Sequence, residues 1–247
     1  MMAGLEPERT TARSLPVMEA HALWAKTYDD GSNPLLALEE RAMEPLLPEL
    51  KNKYVLDVAC GTGRWLTRLR HRGVNHVVGV DLSPEMLQVA SAKPALAPGL
   101  VRADCLALPL RSSCAHLTIC SFAISYLDAL PPFASELARV SRPHARVLLS
   151  DFHPEGHRRG WKRTFRWEGR AIEIASFAYS MDTICEAFQK AGFDLKQKLE
   201  PHIDEPERHI FAQGGKLSNF ESIRGLPAIF ILDFQLAGGY GNVREIR

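Results

Sequence analysis

The sequence predicts an α/β fold in which helices cover both faces of a doubly wound, mostly parallel sheet. A buried strand at residues 55–58 runs into a glycine-rich turn at Gly61 and Gly63, and a helix follows. Two later apolar segments, residues 77–81 and 101–105, each bring an acidic residue to the end of a strand. Glycine permits a sharp turn and the close approach of a ligand, so these segments predict the nucleotide-binding end of such a sheet.

The rest of the chain supplies the other elements that this fold needs. Further strands are predicted at residues 117–122, 146–151, 193–199 and 227–234. Helices are predicted at residues 16–28, 33–50, 180–191 and 206–224, the last with a break at Gly214 and Gly215. A short hairpin is predicted from residues 163–167 and 171–175. The helix at 33–50 has the clearest start, because Asn33 is a good cap and Pro34 suits the first helical position.

An acidic residue inside the first strand indicates a ligand with a positive charge. Asp57 lies where a core strand is normally apolar, and a buried carboxylate needs a partner such as a ligand's ammonium group. A dinucleotide site would carry a third glycine three residues after Gly63, where this chain has Leu66. This difference weakens the alternative of a dinucleotide-dependent oxidoreductase.

The segment from Val55 to Gly63 matches the pattern hydrophobic-Leu-Asp-x-(Gly/Ala)-x-Gly-x-Gly, and the later strands follow in order. Over residues 52–200 the chain resembles the class I, Rossmann-like methyltransferases that use S-adenosylmethionine, and within them the small-molecule, quinone-biosynthesis-like type. The resemblance implies a seven-stranded sheet with an antiparallel last strand. It also implies a helical lid at residues 1–50, a methyltransferase domain at 51–236 with a hairpin insertion at 154–178, and a flexible tail at 237–247.

The resemblance implies that S-adenosylmethionine is the cofactor, and it implies which residues contact it. Asp81 would accept hydrogen bonds from the ribose hydroxyls, which is favoured over a helix-capping role because Ser83 already occupies the cap. Leu82 and Met86 would flank the adenine, with core packing as the alternative for Met86, and Asp104 would accept from the exocyclic amine. The other candidate cofactor-binding residues are Tyr28, Asp57, Ala59, Gly61, Gly63, Cys105 and Ser121.

The methyl acceptor is expected where the fourth and fifth strands end, between Ser125, Tyr126, His153 and the lid. If the acceptor needs a general base, worth about 10²–10⁴-fold in rate, His153 is the first candidate and Tyr126 the second. The alternative for His153 is a histidine at the surface or one satisfied by backbone hydrogen bonds. The candidates for lid contacts are Trp24, Tyr28 and Arg41, with an aromatic anchor to the sheet as the other interpretation.

His153 and His157 are spaced like metal ligands, but the sequence predicts no metal site. Pro154 and Gly156 argue against the helix that would align both imidazoles, and too few further ligands are present.

Composition restricts the class of protein. A net charge of +1 argues against electrostatic binding to nucleic acid or membranes, and no apolar run reaches the ~18 residues of a membrane span. Five cysteines without pairing or metal spacing indicate a reducing compartment, and residues 1–17 lack the apolar core of a signal peptide. A cytoplasmic protein is therefore expected, with its oligomeric state open.

Three functions remain in competition. The leading hypothesis is methyl transfer to a small-molecule acceptor, with the methylated atom (oxygen, nitrogen, carbon or sulfur) open. The second is a tRNA or other RNA methyltransferase, because basic and aromatic residues alternate along residues 158–167. The third is a scaffold that keeps the fold without turnover, which the intact motif residues disfavour.

Overall fold

The computed structural model describes residues 13–238 and divides them into two sheets with flanking helices. The strands are β1 Arg13–Leu15, β2 Tyr54–Val58, β3 His76–Asp81, β4 Leu100–Arg102, β5 Ala115–Ser121, β6 Ser141–Phe152, β7 Thr164–Trp167, β8 Arg170–Ile174, β9 Phe193–Leu199 and β10 Ile229–Leu236. The α-helices are α1 Val17–Trp24, α2 Pro34–Met43, α3 Arg64–His71, α4 Pro84–Ser91, α5 Leu130–Val140, α6 Pro154–Arg158, α7 Met181–Lys190, α8 Glu205–Gln213 and α9 Leu217–Ile223.

The main sheet has seven strands in the order β4-β3-β2-β5-β6-β10-β9. β10 is antiparallel to both β6 and β9, while β2 is parallel to β3 and β5 and β6 is parallel to β5. The prediction of a mostly parallel sheet with an antiparallel last strand is confirmed. The chain leaves β2 in one direction towards β3 and later returns to its other side as β5, so a crevice for ligands opens beyond the carboxyl ends of these strands.

Each face of the main sheet carries its own apolar core. On one face α5 buries residues at helical spacing, including Leu130, Phe133, Leu137 and Val140, and packs beside α7. On the other face α2, α3, α8 and α9 bury side chains such as Trp65 against the sheet. Because both faces are covered, the inner strands β2, β5 and β10 are mostly apolar, whereas the edge strand β9 is polar and largely exposed.

A second sheet joins the amino-terminal segment to the insertion. β7 and β8 form the predicted hairpin, closed by a turn in which Glu168 and Gly169 have positive φ. β1 was not predicted, and it pairs in parallel with β8, placing Arg13 opposite Ile172. The short strand therefore fixes α1, which follows it directly, beside the hairpin.

Several predicted boundaries are wrong for local reasons. The third strand stops at Arg102, and Asp104 lies in a turn where its Oδ1 accepts from the backbone N–H of Leu106 at 2.9 Å. The second helix ends at Met43 and a 3₁₀ turn, not at residue 50, because Pro45 cannot continue an α-helical ladder.

Other elements were missed or misjudged. The helix α5 was not predicted, and β6 extends over 141–152 instead of 146–151. The expectation that Pro154 and Gly156 prevent a helix is wrong, because α6 has Pro154 at its first position and His153 as its cap.

Parts of two predicted segments fall outside the described residues. The predicted lid begins among residues 1–12, which lie outside the described residues, as do residues 239–247 of the predicted tail. Within residues 13–238, no helix combines the length and the apolar composition that crossing a bilayer needs.

Candidate active site

A cavity of about 890 Å³ lies at the carboxyl ends of β2, β3 and β5. Its walls come from the glycine turn, the segments after β4 and β5, α1 and the insertion. Ten of the residues predicted for the site line it: Tyr28, Ala59, Gly61, Asp81, Leu82, Met86, Asp104, Cys105, Ser121 and Tyr126. Asp57, Gly63 and His153 do not.

The two glycines of the turn have different surroundings. Gly61, at φ +53°, has no atom within 4 Å of where a Cβ would stand, and it lines the cavity. Gly63, at φ +81°, caps α3, and a Cβ there would lie 2.8 Å from the Leu96 side chain. Gly61 thus leaves room for a ligand, whereas Gly63 is required by packing and by its left-handed backbone.

Two carboxylates mark one end of the cavity. Asp81 accepts from the backbone N–H of Gly61 at 2.7 Å and of Ser83 at 2.8 Å, and burial nevertheless raises its pKa. Each of its oxygens keeps a lone pair for a further donor. Asp104 lies beside Cys105, and burial with the nearby Asp104 charge raises the pKa of that thiol to about 12. Cys105 is therefore a neutral thiol at pH 7.

Asp57 lies beneath this end, in the middle of β2. It is 2 % exposed, and burial raises its pKa well above the usual range, although Arg64 opposes the rise. Burial without a close cation is costly for a carboxylate.

A buried carboxylate that sequence reasoning missed joins α2 to the sheet. Glu39 is fully buried and accepts hydrogen bonds from the side chains of Arg64, Trp65, Ser121 and Ser150. Its Oε1 lies 2.6 Å from the Ser121 Oγ. The available signal was an acid on the apolar side of α2, in i, i+4 register with Met43.

The other end of the cavity is aromatic. Trp24 stacks on Phe165 with ring centroids 5.1 Å apart and touches Tyr28 at 4.6 Å. His21 meets Tyr126 edge-on at 5.2 Å. Aromatic side chains of the lid and of the insertion thus form one wall of the cavity. Trp24 and Tyr28 therefore act both as lid residues and as an aromatic anchor, the two interpretations that the sequence left open.

One buried cation lies within this aromatic end. The Arg163 guanidinium is 4.4 Å from the Phe152 ring centroid and 4.7 Å from that of Tyr126. It donates to Asp151 and, at 2.8 Å, to the backbone carbonyl of Phe122. Phe122 has a positive φ of 56°, a strained conformation that directs its carbonyl to this arginine.

Comparison with known proteins identifies the family. A family model described as a methyltransferase domain matches residues 55–144. The chain is 38% identical over 213 residues to the malonyl-[acyl-carrier protein] O-methyltransferase of Pectobacterium atrosepticum, covering 81% of this chain and 74% of that relative. The chain belongs to the S-adenosylmethionine-dependent methyltransferases.

Solved structures share the fold. An S-adenosylmethionine-dependent methyltransferase from Mesorhizobium loti superposes with a TM-score of 0.64 at 21% identity, over 82% of this chain and 100% of that one. The methyltransferase of a complex with the Haloferax volcanii Trm112 activator gives 0.68 at 20% identity, over 92% and 99% of the two chains. As a member of this family, the chain is an enzyme with S-adenosylmethionine as cofactor, and the open approach at Gly61 beside two carboxylates fits that group.

His153 of this methyltransferase lies outside the cavity lining. It is 5 % exposed, its Nδ1 accepts from the Glu155 backbone N–H at 3.1 Å, and its Nε2 lies 2.9 Å from Glu200. The expected grouping of His153 with Tyr126 around an acceptor is not found, because β6 ends in a helix cap that turns the imidazole towards β9. Among residues 13–238, no group of three or more His, Cys, Asp or Glu side chains is arranged to hold a metal ion.

The amino-terminal segment of the methyltransferase contacts the glycine turn through Asp29. Its carboxylate accepts from the Thr62 hydroxyl at 2.9 Å and pairs with Lys93 at 2.7 Å. Arg41, a predicted lid residue, instead forms a two-pronged ion pair with the buried Glu207 of α8. Trp24 and Tyr28 therefore face the cavity, and Arg41 faces away from it.

The basic and aromatic segment at 158–167 is only partly exposed in the methyltransferase: Arg158, Arg159, Lys162 and Arg166 are at the surface, whereas the aromatic side chains and Arg163 are partly or fully buried. Phe165 is 6 % exposed, Trp161 packs on Gly156 and lines the cavity, and Arg163 is buried. These side chains serve the protein's own core, so they do not form a surface on which bases could stack.

Proposed function

We propose that this enzyme methylates a small organic acceptor bound in the aromatic end of its cavity. The observation that carries the proposal is one continuous cavity with two chemically different ends. Asp81 and Asp104 line one end, while Trp24, Tyr126 and Phe152 line the other. A concave, mostly apolar site with few polar groups is typical of small-molecule recognition.

The carboxylate end supports the cofactor roles expected from the sequence. We assign Asp81 to the ribose hydroxyls and Asp104 to the adenine amine, with Leu82 and Met86 against the adenine ring. Leu82 is 44 % exposed and Met86 is 2 % exposed, so they would cover opposite edges of the base from outside and inside. Three further residues would let the cofactor approach the backbone closely: Ala59, Gly61 and Cys105.

The methionine end of the cofactor would lie near Asp57, Tyr28 and Ser121. Asp57 does not line the cavity, so a ligand ammonium group there would act on it through its charge and would oppose the effect of burial on its pKa. Burial raises the pKa of Tyr28 to about 12, so its hydroxyl is a neutral hydrogen-bond donor. Gly63 would act through the turn and not by contact.

Alignment supplies the main catalytic effect in this proposal. When bound, S-adenosylmethionine supplies a methyl group already activated by its sulfonium charge. The protein holds the acceptor in line with that methyl group, and good orientation alone is worth about 7–11 kcal/mol of barrier. Of the two predicted catalytic residues, Tyr126 lies under Arg163 in the aromatic end, and this position supports a contact with the acceptor. The position of His153 supports a structural role.

The alternative of an RNA substrate has less support. The segment that motivated it contributes its aromatic side chains to the protein interior. A net charge of +1 supplies little general attraction for phosphate. We further infer a cytoplasmic enzyme, which is consistent with five free cysteines.

The test is a calorimetric titration of the purified enzyme with S-adenosylhomocysteine, with NAD as the control ligand. Micromolar binding of the first and none of the second is expected. Methyl-labelled S-adenosylmethionine is then offered with small acceptors, including a malonyl thioester because the Pectobacterium relative is named for malonyl methylation. Label transfer to total RNA but to no small acceptor would refute the proposed acceptor class.

A further inference from the structure

We infer that the methyl acceptor is a carboxylate held by Arg163, and that the product is its methyl ester. This inference rests on the proposed function. In the reaction an acceptor oxygen forms a bond to the methyl carbon while the carbon–sulfur bond breaks and its electron pair stays on sulfur. The carboxylate charge and the sulfonium charge cancel, so no proton has to move.

The first argument is the number of unused donors on a buried arginine. The Arg163 side chain is 6 % exposed and lines the cavity. A guanidinium carries five N–H donors, and the described partners are Asp151 and the carbonyl of Phe122. Its Nε is buried and has no hydrogen-bond partner within residues 13–238. An acceptor carboxylate in the cavity would bind the remaining N–H groups of Nη1 and Nη2, each of which has one described partner.

The second argument is that Asp151 has hydrogen-bond donors other than Arg163. Asp151 Oδ2 accepts from the Ser125 backbone N–H at 2.8 Å, and its Oδ1 accepts from the Phe152 backbone N–H at 2.6 Å. Those two bonds already stabilise the carboxylate. Asp151 therefore fixes the orientation of the guanidinium, while the free donors remain available to a second anion.

The third argument is the distribution of charge along the cavity. The acids Asp81 and Asp104 lie at the cofactor end, which receives a cation. Outside that end the cations Lys162, Arg163 and Lys216 line the cavity with one carboxylate, Asp128. Both lysines and Asp128 are exposed, and Arg163 is the buried charge among these four. The acceptor end thus favours an anion.

The fourth argument is that a neutral acceptor would lack a matched base. His21 lines the aromatic end, and burial together with the Arg163 charge lowers its pKa to about 4. Taking a proton from a phenol with a pKa of about 10 would be unfavourable by about six powers of ten. A carboxylate is ionised at pH 7 and requires no base, and neutral His21 is then suited to donate a hydrogen bond to it.

The experiment measures binding to the enzyme saturated with S-adenosylhomocysteine. The probes are matched pairs of a carboxylate and its neutral amide: octanoate, phenylacetate, benzoate and the malonyl thioester of N-acetylcysteamine. We expect at least one carboxylate to bind ten-fold or more tightly than its amide. If no carboxylate binds better than its amide, the inference is overturned, whereas the proposed function fails separately if S-adenosylhomocysteine itself does not bind.

Matched variants test the residue. Arg163→Lys keeps the charge beside Asp151 but loses the planar fork, and should weaken carboxylate binding at least ten-fold while S-adenosylhomocysteine affinity stays within two-fold. Arg159→Lys is the control, since Arg159 is 47 % exposed, pairs with Glu155 and belongs to the same segment. Equal carboxylate affinity in both variants would overturn the assignment, and if Arg163→Lys does not fold, the carboxylate and amide comparison on the natural enzyme still decides.

For turnover, the chemical stability of the product gives an independent readout. Label in a methyl ester is released as methanol by mild alkali, whereas methyl groups on ether oxygen, nitrogen or carbon stay attached. We expect the transferred label to be alkali-labile, and an alkali-stable product would refute the carboxylate assignment.

Discussion

Replacing Glu39 by glutamine should destabilise the enzyme more than any other single change of charge on α2. The substitution keeps the shape of the side chain and removes its negative charge. Glu39 is fully buried, and its ion pair with Arg64 includes a cation whose side chain is 21 % exposed. Breaking a buried pair costs about 3–5 kcal/mol, and the partial exposure of Arg64 reduces this to about 3 kcal/mol.

The hydrogen-bond geometry supports that magnitude. The Ser121 and Ser150 hydroxyls can rotate to accept from the new amide, so those two bonds are largely retained. Arg64 loses its counter-charge and has no equivalent replacement. Its Nη1 is already buried without a hydrogen-bond partner in the described part of the chain.

Chemical denaturation of Glu39→Gln measures the effect, and Glu40→Gln is the matched control. The adjacent Glu40 pairs with Arg68, and both side chains are about one third exposed, so its loss should cost less than about 1 kcal/mol. The 3 kcal/mol expected at Glu39 corresponds to a fall in Tm of roughly 6–12 °C. Equal losses in the two variants would refute the idea that Glu39 holds α2 to the sheet.

Four further results are expected. Asp81→Asn should weaken S-adenosylhomocysteine binding at least ten-fold with Tm nearly unchanged, and unchanged affinity would contradict the ribose assignment. Gly61→Ala should mainly reduce cofactor affinity, because its Cβ would enter open space, whereas Gly63→Ala should mainly reduce stability, because its Cβ would lie 2.8 Å from a side chain; the reverse pattern in titration and melting would refute this division. His153→Ala should keep kcat within about two-fold while losing about 1 kcal/mol from the α6 cap, and a large loss of kcat at an unchanged Tm would restore the base role. The lowered pKa of His21 means that the unfolded chain binds the extra proton between pH 6.5 and about 4, so the His21 contribution is complete above pH 6.5 and is lost as pH falls through that window; His21→Asn should therefore flatten the acid limb of a stability profile.

The cofactor half could be predicted from sequence because its signals are local. Gly61, Asp81 and Asp104 each lie within a few residues of a strand end, and the carboxyl ends of parallel strands meet at one edge. The cavity brings them together as expected. Where the prediction failed, as in the length of the third strand, a three-residue edge strand left too little periodicity to define its end.

The acceptor half could not be predicted because its contacts join distant parts of the chain. Arg163 lies 4.7 Å from the Tyr126 ring centroid and donates to the Phe122 carbonyl, and contacts between residues this far apart in the chain have no local signal in the sequence. His153 looked catalytic because strand ends are where catalytic residues occur, but a proline at the next position made it a helix cap. The burial of Glu39 was not predicted, since a single buried acid does not change the overall pattern of α2.

The parallel pairing of β1 with β8 sets an order of events during synthesis on the ribosome. Arg13 and Ile172 are partners, so most of the chain is made between them. At about 5–20 residues per second, β1 waits on the order of 10–30 s for the hairpin that completes its sheet. The strands β2, β3 and β5 can associate during that interval and α1 can pack on α4, whereas the contacts of α1 with the hairpin form only later. A nascent chain stalled before residue 174 would therefore have the elements that contact the cofactor, but the pairing of β1 with β8 that completes the acceptor wall would be missing.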